Sequence, residues 1–188
     1  MTVVLEKLNY AIFLAVVLAV LAIVGLNNGE IHHLSIAVWL HVVSGVCWIG
    51  LLWYFNLVQI PTMPKIPAEL KPAVGKFIAP SALFWFRYAA LATVLTGLAV
   101  ASAKGYLVDA LTFVPAERTI GVGIYLALIM AFNVWFIIWP KQKIALGMVE
   151  ADADAKAKAA RIAMLASRTN TVLSLPMLYC MVSQNIPM

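Results

Sequence analysis

His41 is the residue of this chain best placed to do chemistry. It lies in Trp39–Asn56, WLHVVSGVCWIGLLWYFN, a stretch apolar enough for a bilayer interior. An ionisable group in such a span is costly to bury and by default marks a functional site. Gly45 follows one helical turn later and Trp48 about one turn after that, so His41, Gly45 and Trp48 share a helix face. A glycine there lets a flat ring or a neighbouring helix approach the backbone closely. Two readings stay open on these residues. Either His41 ligates a cofactor, or it bonds a carbonyl of the next helix and Gly45 is a packing notch.

The other histidines narrow the chemistry. His32 and His33 are adjacent, so on a helix they diverge. His33 and His41 are about 12 Å apart in helix rise, too far to clamp one ion. A three- or four-ligand zinc site is therefore not expected within one chain. A haem asks for less, namely one or two axial ligands and an apolar slot. Haem b, with iron on His41 and the ring against Gly45 and Trp48, is the cofactor expected. The second ligand is a methionine, His32 or His33, a histidine of another subunit, or none. Otherwise His32 and His33 are residues of a solvated outer loop.

Arg87 could meet a haem propionate or an acidic substrate, but its place at the start of a span favours snorkelling to the boundary. Asn133, Arg168 and Asn170 are expected to form a hydrogen-bonded cluster that fixes helix angles. Cys47 and Cys180 belong to no C-x-x-C or C-x-x-C-H pattern, which excludes a zinc ribbon, a redox dithiol and a covalently attached haem. They read as buried, inert thiols. No Ser/His/Asp set, phosphate loop or pair of membrane carboxylates can be assembled from the sequence.

The elements that must position these residues are membrane helices. Of 188 residues, 64% are hydrophobic and 11% charged, against roughly half and a quarter in a soluble domain. The expected fold is all-α, a polytopic membrane helix bundle in one domain. About five transmembrane helices are predicted at 8–26, 34–60, 81–102, 119–139 and 169–186. A cytoplasmic helical extension is predicted over 141–168, where the chain is alanine-rich and charged. Asn27–Gly29 is expected to turn the chain after the first span. Pro61, Pro64 and Pro67 are expected to stop the second span and Pro140 the fourth, with a kink at Pro176. A short interfacial helix is expected at 68–78. Thr93, Thr96 and Gly97 offer a small, weakly polar packing face. The first apolar run lacks a cleavage site and reads as a retained helix.

The net charge of +5 is topology information rather than a nucleic-acid signal. Ten basic residues, Lys7 to Arg168, fall on the side of the N-terminus and the second and fourth loops. Only Lys104 and Arg118 fall on the other. That bias places the N-terminus in the cytoplasm.

Two strings then carry a family resemblance. Phe132–Lys143, FNVWFIIWPKQK, and Arg168–Met181, RTNTVLSLPMLYCM, resemble the membrane domain of bacterial PuuD-type urate hydroxylases. His41–Gly50, HVVSGVCWIG, is similar to that family's histidine-bearing helix, a looser pattern shared with other membrane haem and copper proteins. The resemblance implies a membrane scaffold and oxidation of urate with electrons passed to cytochrome c. The family carries its own cytochrome c domain, and no C-x-x-C-H occurs in these 188 residues. The expected acceptor is therefore a separate periplasmic cytochrome c.

The leading expectation is a redox protein of the bacterial inner membrane. It is a b-type haem electron carrier or the membrane part of a urate-hydroxylase-like oxidoreductase. The alternative is a cofactor-free accessory subunit of a larger membrane complex. A small-molecule transporter is weaker, since it lacks an intramembrane acid or paired broken helices. The partners expected are the lipid bilayer, membrane-complex subunits or further copies of the chain, and cytochrome c, with no nucleic acid.

Overall fold

The computed structural model describes residues 5–26 and 30–184, and among these every regular element is helical. The turn expected at Asn27–Gly29 and the end of the fifth span at Ile186 lie outside them. The chain divides into two units, Met1–Ile36 and Ala37–Met188. The first holds α1, Leu8–Leu26, which carries no charged residue. At about 1.5 Å per residue it is long enough for a hydrocarbon core of about 30 Å.

The second unit is built from α2 (His33–Lys65, from Ala37 on), α3 (Lys71–Ala103), a short α4 (Leu107–Leu111), α5 (Pro115–Ala145) and α6 (Ala153–Ser183). The four long helices alternate in direction. Trp48, Leu52, Phe86, Met130 and Val134 form the fully enclosed centre. The C-terminus of α2, both ends of the α5–α6 connection and the start of α3 meet at one end, which collects the lysines. The opposite end holds Lys104, α4 and the start of α5.

Four described helices, not five, are long and apolar enough to cross a membrane. The exception is α6. Its apolar part beyond Thr169 spans only about 22 Å, and Asn170 and Ser174 interrupt it. Its polar residues face inward, because Ser167, Asn170 and Ser174 are all buried. Still, α6 runs the length of its unit through Pro176, and Gln184 donates to Glu117 at the start of α5 (2.6 Å).

Pro61 and Pro140 do not stop their helices, whereas α2 does end at Lys65, between Pro64 and Pro67. α2 continues past Pro61 and α5 past Pro140, and of the stretch expected as an interfacial helix at 68–78, Lys71–Ile78 form the first turns of α3. The reason is the same three times. A proline lacks an N–H and its ring crowds the carbonyl four residues back. Just before Pro61, Pro80 and Pro140 the helix widens into a π turn, over Tyr54–Gln59, Val74–Ile78 and Asn133–Ile138. In each, the residue preceding proline donates to the carbonyl five back: Ile60 to Phe55, Ala79 to Val74, Trp139 to Val134. The extra residue makes room for the ring.

The predicted 141–168 helix is instead two helices. α5 ends at Ala145, Gly147 takes a φ of 73° that side-chain-bearing residues rarely adopt, and α6 starts behind Asp152. The Asp152 carboxylate accepts from the Ala155 N–H (2.6 Å), a standard N-cap.

Candidate functional site

His41 projects from α2 onto α3. Its Nδ1 lies 2.9 Å from the Thr93 carbonyl oxygen. A carbonyl only accepts, so Nδ1 carries the proton and donates it. The Thr96 hydroxyl is 3.4 Å from the same nitrogen and itself donates to the Ala92 carbonyl (2.6 Å). Nε2 keeps its lone pair, and no partner for it is found among the described residues.

This contact depends on a glycine, Gly97. Gly97 lies one turn after Thr93, on the path the imidazole takes to the Thr93 carbonyl. A Cβ at Gly97 would stand 2.8 Å from His41 Cε1, closer than real Cβ atoms stand, and a tight 3.1 Å from Nδ1. The fit of His41 against α3 therefore requires a bare backbone there. At Gly45 the demand is milder, since a Cβ would meet only the Thr93 methyl at 3.8 Å.

His41, Gly45 and Trp48 line one cavity of about 750 Å³, shared by α2, α3, α5 and α6. Its wall is overwhelmingly apolar. Trp48 is fully buried, and its indole N–H has no acceptor among the described residues. Met177 and Met181 of α6 reach the same space, and Lys104, Tyr106 and Gln184 stand at its polar end. Burial, and next the nearby Glu117 charge, raise the Tyr106 phenol above its ordinary pKa, so it stays neutral. Lys104 is then the cation at that end. His32 lies in the other unit, 3.6 Å from Glu30, and both are exposed.

The residues present fit a haem by three tests. A histidine that binds a metal ordinarily donates its other ring N–H to a carbonyl or carboxylate, which fixes the tautomer. His41 does so through Thr93. The slot is apolar and of the size range of cofactor sites, and one cation, Lys104, lines it. Among the described residues no three His, Cys, Asp or Glu side chains gather as a metal site, and Cys47 and Cys180 are free thiols.

Thr93 and Gly97 complete the site, yet from sequence they read only as a packing face. The signal lay in the T-x-x-T-G spacing, which has no meaning until His41 is docked on it. The polar cluster at the other end is partly as expected. Asn133 donates to Asn170 (2.9 Å), which donates to the Met130 carbonyl (2.9 Å). Arg168 is exposed and outside it. Ser167 takes part instead, accepting from Asn56 (2.8 Å), while Trp53 donates to Ser174 (3.1 Å). Arg87 does not snorkel freely. It is 8% exposed, with its guanidinium 3.4 Å above the Trp139 ring.

Residues 110–188 match the family model described as urate oxidase N-terminal. The matched region contains both FNVWFIIWPKQK and RTNTVLSLPMLYCM, with α5, α6 and their half of the cavity wall, and it leaves His41 outside. The match supports a urate-oxidase-N-like, oxidoreductase-related family for this part of the chain. No curated protein and no solved structure matches the chain.

Proposed function

We propose that this chain is the membrane-embedded redox part of a urate-oxidase-like oxidoreductase, with haem b held on His41. The observation that carries the reading is the state of the His41 ring. Nδ1 is committed to the Thr93 carbonyl, and Nε2 is left unpartnered on a residue lining a large apolar cavity. A neutral imidazole prepared in this way is a good iron ligand. Haem would supply one-electron chemistry there. The protein's own part is to fix the tautomer through Thr93, to admit the ring through Gly97 and Gly45, and to keep water out with the apolar wall. Lys104, at the polar end, would meet a carboxylate edge. The match over residues 110–188 supports the oxidoreductase class, and urate as the electron source is the family expectation extended to this chain.

The orientation proposed puts the lysine-rich end in the cytoplasm of a bacterial inner membrane, because basic residues collect on that side. The His41 cavity then lies toward the periplasm, where a cytochrome c could accept electrons. The direct test is a reduced-minus-oxidised visible spectrum of protein produced with ample haem. A Soret band and sharpened α and β bands on reduction are expected. A folded, colourless preparation would remove the haem reading and leave the accessory-subunit alternative.

A further inference from the structure

Arg87 is a buried cation with no counter-charge among the described residues. It is 8% exposed, and Nη1 is enclosed with no acceptor among the described residues. None of the chain's eight carboxylates lies in α3 from Ala79 on or in α5 beyond Glu117, and among the described residues no ion pair forms at Arg87. An unpaired charge out of water is strongly disfavoured. Stacking on Trp139 offsets part of that, but an indole face accepts no guanidinium hydrogen bond of ordinary strength. A second cation reaches the same ring, with Lys143 Nζ 5.7 Å from the Trp139 centroid. Trp135, one turn before Trp139, adds a second enclosed donor with no acceptor, its indole N–H. Tyr88 links Trp135 to Arg87, edge-on to Trp135 at 5.7 Å and with the guanidinium carbon 6.0 Å from its own ring centroid. The Arg87 and Lys143 cations thus meet on one aromatic cluster between α3 and α5, where Arg87 Nη1 and the Trp135 indole N–H have no acceptor among the described residues.

We infer that this cluster is a binding site for the phosphodiester of an anionic phospholipid. Two features select a lipid over a soluble anion. Phe84, Trp85, Tyr88 and Phe136 around the site are exposed at 47%, 61%, 47% and 68% on long apolar helices, a surface suited to acyl chains. Lys143 and Arg87 meet one indole at the lysine-rich end, so the two charges sit at one depth, that of headgroups rather than of the hydrocarbon centre. Basic pockets between membrane helices on the cytoplasmic side are recognised lipid headgroup sites by this chemistry. The site is independent of the His41 cavity, which opens toward the other end.

The test titrates the purified full chain in a non-ionic detergent with phosphatidylglycerol and reads retained lipid by native mass spectrometry. Phosphatidylcholine serves as the zwitterionic control and inorganic phosphate as the free-anion arm. Wild type should retain phosphatidylglycerol over phosphatidylcholine. Arg87→Gln, which keeps the stem and removes the charge, should weaken retention about tenfold, the size of one charge-assisted hydrogen bond. Arg87→Lys should recover part of it. Lys143→Ala leaves the Arg87–Trp139 stack intact and should weaken retention by a smaller factor, so the proposal stays testable should Arg87→Gln fail to fold. Equal retention by wild type and both charge-removing variants would overturn the site. Displacement of the lipid by millimolar inorganic phosphate, or equal retention of phosphatidylcholine, would overturn the assignment to an anionic lipid.

Discussion

The imidazole of His41 and the missing side chain of Gly97 form one unit. The ring reaches the Thr93 carbonyl only because nothing projects from Gly97. Gly97→Ala should push the ring off that carbonyl, lowering stability by about 1–3 kcal/mol through overpacking and the lost hydrogen bond. A denaturation midpoint measured beside wild type checks it, and an unchanged midpoint would mean that the ring relocates freely. His41 was legible in the sequence because a histidine inside an apolar run is conspicuous. Its partners were not, because which face of α3 meets α2 depends on helix register, which local composition does not encode. Arg87 misled for the same reason. A span-initial arginine snorkels only where its neighbours leave it free, and Trp139, over fifty residues away in sequence, does not.

At the scale of elements, three π turns and one buried polar stripe set how the helices meet. Composition placed four long apolar helices and counted a fifth that is not apolar enough to cross, and it made Pro61 and Pro140 terminators, since a helix that absorbs proline by widening has no distinctive composition. Phe55, Gln59, Val74, Gly75 and Ile138 from the three π turns line a second cavity of about 400 Å³ at the lysine-rich end. On α6, Ser167, Asn170 and Ser174 recur at helical spacing and dock on α2 and α5. The same stripe, together with the charged residues between Asp154 and Arg168, makes α6 poorer in apolar residues than the other long helices. Asn170→Ala would remove the acceptor of the Asn133 side-chain amide and the Asn170 bond to the Met130 carbonyl, and should destabilise by about 1–3 kcal/mol. A change far below that range in a thermal melt would show that the ladder is not holding α6. Asp152→Ala removes the cap of α6 and should lower stability by about 1 kcal/mol, read as a loss of helical ellipticity or of melting temperature.

For the whole molecule, the distribution of charge carries the argument. The sequence bias and the bundle agree in one respect: the lysines that composition assigns to one side do gather at one end of the Ala37–Met188 unit. Reporter fusions at Gly105 and after Met188 should both report the periplasm. A cytoplasmic signal at Gly105 would invert the orientation and move the His41 cavity to the inner face. A cytoplasmic signal at the C-terminus alone would mean that α6 does not cross.

The central claim is that His41 holds a haem, and one optical comparison tests it. Wild type, His41→Ala, His32→Ala and His33→Ala are purified with equal haem supply, and folding is matched by circular dichroism. Haem per chain is then read from the Soret band. His41→Ala should be inserted, folded and colourless, while His32→Ala and His33→Ala each keep at least part of the band. A colourless wild type, or a His41→Ala protein with the complete wild-type spectrum, would contradict the account.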